Sequence, residues 1–260
     1  MFLKFQFQTE VVSLVFKNML IKNKLSENIF QKWPDNLVLV RHGLSIYNEE
    51  RELVNRGVLK TYSSKIKGLR NTDIPLSAKG KYQARKTGSF LAKKYGRFDV
   101  VFASPFKRAL DTARLIAKSL PKTKLIVEER VREKEFGIAD GLTPEEIKTV
   151  FPYEYSRKLK EKKYYYRPIG GESYPDVNLR IWSFLNTMVR EYPGKNILVV
   201  SHSAVMLCFR KLLEKLTEKQ VLDINQNDDV QNCAIVSYRF DPNLKPKPKM
   251  RLDIYNKIVW

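Results

Sequence analysis

The chain of 260 residues contains only two cysteines and two histidines. Cys208 and Cys233 both stand in apolar surroundings, so we expect two buried thiols in a reducing compartment and no disulfide framework. Because the sequence has no Cys-x-x-Cys pair and no Cys/His cluster, a structural zinc site is not expected. With so few histidines, the position of each one carries information about function.

Long hydrophobic runs are also missing, and no segment reaches the length of a transmembrane helix. The first twenty residues are moderately apolar, but Lys4, Glu10 and Lys17 interrupt them, so no secretory signal core forms. We therefore expect a cytoplasmic protein. Residues 1–35 are interpreted as an N-terminal extension of unknown role, which packs on the domain as an amphipathic helix or an added strand. A membrane-surface or organelle-targeting role is the alternative.

Acidic residues are scarce: the chain has 28 Asp and Glu residues and 48 Lys and Arg residues, which gives a formal net charge of +20. This balance favours anionic partners such as nucleic acid, an anionic membrane or a phosphorylated small molecule. The alternative is a lysine-rich surface with no partner, since the lysines are spread along the chain. No RNA- or DNA-binding motif is present, so we expect a small-molecule partner and no nucleic acid.

Short apolar runs that predict buried strands alternate with segments that predict helices. The predicted strands are Asn36–Val40, Phe98–Ala103, a weaker run at Lys124–Val127, Asn196–Val200, and two late ones at Cys233–Phe240 and Met250–Tyr255. Predicted helix starts lie at Ser77, at Ser104-Pro105 (N-cap and N1), at Thr143-Pro144, at Ser173 and at Ser203. This order predicts an α/β fold with a mostly parallel sheet and helices on both faces.

Charged and imidazole side chains follow three of these strands directly. Arg41 and His42 come after the first strand, Arg108 lies just beyond the second, and His202 comes after the fourth. Ligands in such folds bind beyond the carboxyl ends of the strands, so both histidines are expected at one site. These arginines and histidines suit a phosphate ligand, because one arginine can bind two phosphate oxygens at once and the start of a helix attracts anions.

The same residues suggest a reaction. One histidine can accept the phosphoryl group on a ring nitrogen, while the flanking arginines neutralise the charge that spreads during transfer. The leaving oxygen then needs a proton. Glu133 and Glu135, in the segment VREKEFG, are the two candidate acids.

The segment LVRHGLSIYN resembles the signature of the histidine phosphatase superfamily, which includes the cofactor-dependent phosphoglycerate mutases. Further segments resemble that family in the family's order: NTDIPLSAKGKYQARKTG, ASPFKRALDTA, VREKEFGIADG, GGES and VVSHSAVM. The resemblance covers residues 36 to 240 approximately. It implies a three-layer α/β/α sandwich of the phosphoglycerate mutase type, with residues 36–260 as the catalytic domain and residues 138–172 as a cap-like insertion.

The resemblance also implies roles for individual residues. His42 matches the phosphorylated nucleophile, Arg41 and Arg108 match the phosphate-binding arginines, and His202 matches the histidine that contacts the phosphoryl group. Glu133 matches the general acid and base, which leaves Glu135 as a surface neighbour. Asn48 matches an asparagine that lines the phosphate pocket, although a turn or helix cap is its alternative role. No metal and no cofactor is implied.

Two positions depart from the family pattern: Leu44 replaces the usual Glu or Gln, and Ser203 replaces a frequent glycine. Neither change removes a catalytic group, so both concern substrate fit. The short connection of residues 138–169 resembles the phosphatase branch more than the mutases. We therefore expect a phosphatase for phosphate monoesters, with a phosphoglycerate mutase as the alternative and a nucleic-acid-binding or non-catalytic interaction protein as a remote one.

The cap-like insertion contains a basic, tyrosine-rich segment, RKLKEKKYYYR, at residues 157–167. One hypothesis is that this segment selects highly anionic or ring-bearing phosphate esters. The alternative is a solvated lysine face whose tyrosines pack on the domain.

Overall fold

The computed structural model describes residues 31–245 and 249–260. Most of the N-terminal extension lies outside these ranges, so the helix or strand expected there stays a prediction. Among the described helices, none combines the length and the apolar character needed to cross a membrane.

Within the described ranges, six strands form one sheet in the order β3-β2-β4-β1-β5-β6. Strands β1 to β4 are parallel, and β5 and β6 add an antiparallel edge. The mostly parallel sheet that the sequence predicted is thereby confirmed. The strands are β1 (Asn36–Arg41), β2 (Val100–Ala103), β3 (Lys124–Val127), β4 (Asn196–Ser201), β5 (Ile235–Asp241) and β6 (Lys249–Lys257).

Helices cover both faces of the sheet, with an apolar core on each face. The described helices are α1 (Ile46–Asn55), α2 (Ser64–Lys67), α3 (Ala78–Tyr95), α4 (Lys107–Ala117), α5 (Pro144–Val150), α6 (Pro152–Tyr165), α7 (Tyr174–Glu191), α8 (Ser203–Glu214) and α9 (Glu218–Asn227). One core holds α7 and α8 against the sheet, and the other holds α3 and α4. The result is the three-layer α/β/α sandwich that the sequence resemblance implied.

Several helix starts follow the capping signals of the sequence. Ser77 caps α3, and Thr143 and Ser173 form capping boxes at α5 and α7. Ser203 is the first residue of α8, as expected. One predicted cap was wrong: Phe106, not Ser104, precedes α4. The Ser104 hydroxyl instead accepts a hydrogen bond from the Phe106 amide and contacts His202. It is therefore not used to cap α4.

Two glycines let helix α3 pack directly beneath the loop that follows β1. A Cβ atom on Gly80 would lie 2.0 Å from the Leu44 carbonyl oxygen, and one on Gly43 would lie 2.6 Å from the Gly80 carbonyl oxygen. Both contacts are with backbone, which cannot move aside cheaply. Gly80 and Gly43 therefore fix the height of the His42 loop above the sheet edge.

Helices α5 and α6 belong to the cap-like insertion and lie beside the cavity beyond the sheet. Helix α6 is kinked at Lys162, whose φ of 61° and ψ of 156° are unusual for a residue with a side chain. Tyr164 packs in the core and stacks on Tyr174, as the packing interpretation of this segment expected. Arg157 and Arg167 form ion pairs within the cap and with α7.

Candidate active site

The structure brings both histidines to one edge of the sheet, where β1 and β4 run side by side. The Arg41 and Ser201 positions pair across these strands, and the next residue of each strand is a histidine. The ring centroids of His42 and His202 lie 5.0 Å apart, and both side chains are buried. Both histidines therefore meet at the sheet edge where the sequence argument from strand ends placed them.

The His42 ring is held by its own loop. Its Nδ1 atom lies 2.8 Å from the Gly43 carbonyl oxygen, an acceptor, so Nδ1 carries the hydrogen and Nε2 presents its lone pair. The Gly43 amide donates to Thr112 Oγ1 at 3.0 Å, which ties the loop to α4. Burial lowers the pKa of His42 well below its usual value of 6.5, and the charges of Arg108 and Arg41 lower it further. The free base is thus the dominant form at neutral pH.

Arg108 lies in the first turn of α4 and is buried beside His42. Its Nε donates toward His42 Nε2 at 3.3 Å. Its Nη1 donates to both the carbonyl oxygen and Oδ1 of Asn71, at 2.7 and 2.9 Å. Asn71 Nδ2 in turn donates to Asp140 Oδ1 at 3.0 Å, which fixes the orientation of the amide. Sequence reasoning did not single out Asn71 or Asp140, although each lies in a segment that resembles the family, NTDIPLSAKGKYQARKTG and VREKEFGIADG.

Arg41 is the second arginine of the cavity lining. Its Nη1 donates to the Val230 carbonyl oxygen at 2.5 Å and lies 3.5 Å from Asp229 Oδ2. Its Nε is buried and has no hydrogen-bond partner among the described residues. Ser203, one of the two departures from the family pattern, donates to Asp229 Oδ1. Ser203 therefore acts on the loop that holds Arg41, a contact that the sequence did not reveal.

Glu133 lies between Arg108 and His202. Its Oε2 is 3.9 Å from Arg108 Nη2 and 3.5 Å from His202 Nδ1, and its Oε1 accepts from the Lys134 amide at 2.9 Å. Burial raises the pKa of Glu133, and the nearby arginines reduce that rise without cancelling it. By contrast, Glu135 is half exposed and pairs with Arg132. Of the two candidate acids, only Glu133 faces the histidines.

His202 is the second histidine at this edge of the sheet. Its Nε2 lies 2.8 Å from Ser104 Oγ, while its Nδ1 is buried and makes no hydrogen bond within the described part of the chain. Burial lowers the pKa of His202 well below 6.5, and the Arg108 charge adds to that effect. A neutral His202 with Ser104 donating to Nε2 has its hydrogen on Nδ1, the nitrogen on the Glu133 side.

Asn48 is a helix-cap residue, one of the two alternatives that the sequence left open, and it also borders the cavity. It is the third residue of a capping box at α1, where its amide donates to Ser45 Oγ at 3.1 Å. It also lines the cavity, and Asn232 Nδ2 donates to its Oδ1 at 3.4 Å. The same Asn232 group donates to the His42 carbonyl oxygen at 3.0 Å. Asn48 is thus part of the frame around the His42 loop.

Arg41, His42, Arg108 and Glu133 line a cavity of about 320 Å³, which is larger than one phosphate group needs. His202 lies fully buried beside His42. His42, Glu133 and His202 each offer a ligand atom within 4.8 Å of the others, a spacing at which they could hold a metal ion. The Arg108 guanidinium, however, sits against His42 Nε2, where such a cation would be repelled. Together with the unpaired donors of Arg41 and His202, this charge arrangement suits an anion better.

A family model described as the histidine phosphatase superfamily, branch 1, matches residues 37–246. A 2,3-bisphosphoglycerate-dependent phosphoglycerate mutase of Gloeobacter violaceus is 31% identical over 206 residues, which cover 78% of this chain and 84% of the relative. The fructose-2,6-bisphosphatase of Saccharomyces cerevisiae is 33% identical over 176 residues, which cover 67% of this chain and 33% of that protein. Relatives of this chain thus carry both mutase and phosphatase names.

Solved structures share the fold. A mycobacterial glucosyl-3-phosphoglycerate phosphatase superposes with a TM-score of 0.64 at 23% identity, covering 85% of this chain and 99% of its own. The α-ribazole phosphatase of Shigella flexneri superposes with a TM-score of 0.66 at 21% identity, covering 86% and 98%. At these identities the similarity establishes the architecture alone.

Proposed function

The chain belongs to the histidine phosphatase superfamily, branch 1, and from that membership we propose that it hydrolyses phosphate monoesters through a phosphohistidine on His42. One observation carries the proposal. The His42 ring is held with Nδ1 as donor, and the unprotonated Nε2 faces the guanidinium of Arg108. A nucleophile and the positive charge that its substrate needs are therefore preorganised together.

In the first step, the phosphoryl group of the ester lies against Arg41, Arg108 and His202. Their unpaired donors, Arg41 Nε and His202 Nδ1, match the acceptor oxygens of a phosphate. The lone pair of His42 Nε2 attacks phosphorus, and the bond from phosphorus to the ester oxygen breaks. Glu133 gives its proton to that oxygen, so an alcohol leaves.

In the second step, a water molecule replaces the alcohol. The Glu133 carboxylate takes a proton from this water as its oxygen attacks phosphorus, and the bond between phosphorus and Nε2 breaks. Inorganic phosphate leaves, and Glu133 is protonated again. The raised pKa of Glu133 supports the first half of this cycle, because a carboxyl group must hold a proton before it can donate one.

The arginines supply the positive charge that the transition state requires, so the proposed reaction uses no metal and no cofactor. Arg108 and both histidines are buried, and Arg41 is partly buried. Removing a single arginine would therefore weaken binding and transfer together.

A phosphoglycerate mutase is the second candidate, favoured by the names of several relatives of about 30% identity. A mutase would return the phosphoryl group from His42 to a second substrate oxygen before water reaches it. We favour hydrolysis because the connection between the Glu133 loop and α7 is short.

The test is phosphate release from a panel of phosphate monoesters in the presence of EDTA, by the natural protein and by His42→Ala. The panel includes 3-phosphoglycerate, with both phosphate release and positional isomers monitored. Release that persists in EDTA and is lost in the variant supports the phosphatase. Isomerisation without release would favour the mutase, and release by His42→Ala at the natural rate would contradict both.

A further inference from the structure

The basic residues are spread along the sequence, but in space they are concentrated on one layer of the sandwich. Helices α3 and α4 carry nine Lys and Arg residues, all but Arg108 exposed, and one acidic residue, Asp111. Helices α7, α8 and α9, on the other face of the sheet, carry five residues of each sign. A surface that serves solubility alone mixes both signs, so this asymmetry indicates a role for the α3 layer.

The outward side of α3 is basic along the helix and holds no acidic residue. With about 100° per residue, Tyr82 lies at the centre of the outward arc, with Lys81 and Arg85 on one side and Lys79 and Lys86 on the other. All five side chains are exposed, Tyr82 by 51%. Among the described residues, these four cations form no ion pair; the acid that reaches α3 pairs at its edge, with Lys94. Their charges therefore face solvent without a counter-ion.

The last four residues of the chain add apolar groups beside these cations. The Lys257 ammonium lies 5.1 Å from the centroid of the Phe90 ring, and the Lys79 ammonium lies 5.7 Å from the centroid of the Trp260 ring. The C-terminal segment thus runs along one side of α3. Between these two contacts in the chain stands Ile258, which is 46% exposed. Large apolar side chains and cations therefore share one exposed surface.

We call this surface the basic face, and its members are Lys79, Lys81, Tyr82, Arg85, Lys86, Lys93, Lys257, Ile258 and Trp260. Its composition matches an anionic bilayer. The negative surface charge of such a bilayer attracts clustered Lys and Arg, while Tyr, Trp and Ile side chains are stabilised where the headgroups meet the acyl chains.

Nucleic acid matches the charge of the basic face but not its other properties. Phosphates offer nothing to an exposed side chain such as Ile258, whereas the bilayer interface does. In addition, α3 packs side by side with α4, so it cannot enter a groove as a single helix would. A broad layer with apolar side chains among its cations favours the lipid surface.

The basic face is separate from the cavity at His42. None of its members belongs to the cavity lining. The cap helix α6, which borders the cavity, contacts α7 and α9 of the opposite layer. A bilayer that covers the basic face therefore leaves the cavity accessible to its ligand.

We propose that the basic face docks the protein on an anionic lipid bilayer. The Lys and Arg side chains contact the charged headgroups, and Tyr82, Ile258 and Trp260 enter the interface between headgroups and acyl chains. This docking does not depend on the reaction at His42.

The test is co-sedimentation of the full chain with vesicles at physiological ionic strength. One vesicle preparation contains phosphatidylcholine alone, and in the other phosphatidylserine replaces part of it. We expect binding to the anionic vesicles only, and that binding should weaken as salt is added. Single-stranded RNA and duplex DNA are tested in parallel as competing polyanions.

A first variant neutralises the outward side of α3 with glutamine, which retains helix propensity: Lys81→Gln, Arg85→Gln, Lys86→Gln and Lys93→Gln. At about fivefold per charge near an anionic surface, its affinity for anionic vesicles should fall by about a hundredfold or more. The matched control makes the same change at four exposed lysines outside α3, α4 and the cavity lining, Lys60, Lys65, Lys160 and Lys219. The control should stay within about threefold of the natural protein, since its sites lie away from the bilayer.

A second variant, Tyr82→Ser with Ile258→Ser, keeps every charge and removes two apolar groups. We expect it to bind anionic vesicles about tenfold more weakly, because less apolar area enters the interface. Thermal unfolding of each variant at the natural midpoint verifies that the fold is intact.

Loss of vesicle binding in the α3 variant, its retention in the control and its weakening in the serine variant would support the proposal. Equal binding to neutral and anionic vesicles would refute it, and so would equal binding by the α3 variant and the control. RNA or DNA that binds more tightly than the vesicles, with no effect of the serine variant, would reassign the basic face to nucleic acid.

Discussion

The Nε of Arg108 lies 3.3 Å from the Nε2 of His42. This contact places a permanent positive charge against the atom that is proposed to attack phosphorus. The charge disfavours protonation of His42 and also attracts the phosphoryl group to it. In the proposed mechanism, Arg108 thus keeps His42 unprotonated and also binds the phosphoryl group that His42 attacks.

Glu133→Gln tests the proposed acid. For esters with poor leaving groups, we expect kcat to fall by about 10²- to 10⁴-fold, because the leaving oxygen loses its proton donor. p-Nitrophenyl phosphate, whose leaving group needs no proton, should be affected less in its first step. Glu135→Gln is the control, since that carboxylate pairs with Arg132 at the surface. Equal losses in both variants would contradict the assignment.

The pH profile follows from the two shifted groups. Burial lowers the pKa of His42 below 6.5, so the nucleophile becomes protonated, and activity is lost, only at pH values below that figure. Burial raises the pKa of Glu133 above 4.5, and activity should decline as the pH rises through that raised value and the acid loses its proton. The measurement is kcat/KM against pH for an alkyl phosphate. In Glu133→Gln the alkaline decline should disappear; its persistence there would assign it to another group.

Asn71 is expected to hold Arg108 in place for phosphate. In Asn71→Ala the side-chain acceptor of Arg108 Nη1 is lost, and we expect inorganic phosphate to bind about tenfold more weakly. Asp140→Asn should have a smaller effect in the same direction, because Asp140 orients the Asn71 amide. Thr72→Ala, at the neighbouring position, is the control. Unchanged phosphate affinity in Asn71→Ala would remove Asn71 from the site.

Gly80→Ala tests the close contact under the His42 loop. The new Cβ would collide with the Leu44 carbonyl oxygen, and we expect a loss of about 1–3 kcal/mol in the free energy of unfolding, as for overpacked interiors. Phosphate affinity should fall as well, because the loop that carries His42 must shift. Chemical denaturation and calorimetry measure the two effects. Lys81→Ala, on the exposed side of α3, should change neither.

The sequence was sufficient to predict the sheet and the place where the histidines meet. Apolar runs such as Asn36–Val40 mark buried strands, and the parallel arrangement brings the residues after them to one edge. The resemblance to a family then separated Glu133 from Glu135, which spacing alone had left open. Only the structure showed the physical difference, the burial of one carboxylate and the exposure of the other.

Other features depend on contacts between distant segments, which the sequence did not single out. Asn71 meets Arg108 and Asp140 only after α4 and the cap have folded together. The capping prediction at Ser104 failed because His202, far along the chain, takes a contact with that hydroxyl. Lys134 looked like one more lysine of a basic chain, and its burial in the cavity wall appears only in three dimensions.

The central claim is that His42 carries the phosphoryl group during turnover, and trapping that group tests it most directly. The natural protein is mixed with a phosphate ester labelled in phosphorus, quenched in alkali, where phosphohistidine survives, and mapped by peptide. We predict label on the peptide that contains His42, lost on a chase with unlabelled ester and absent in His42→Ala. Steady phosphate release with no label on that peptide, or with label on another residue, would contradict the account.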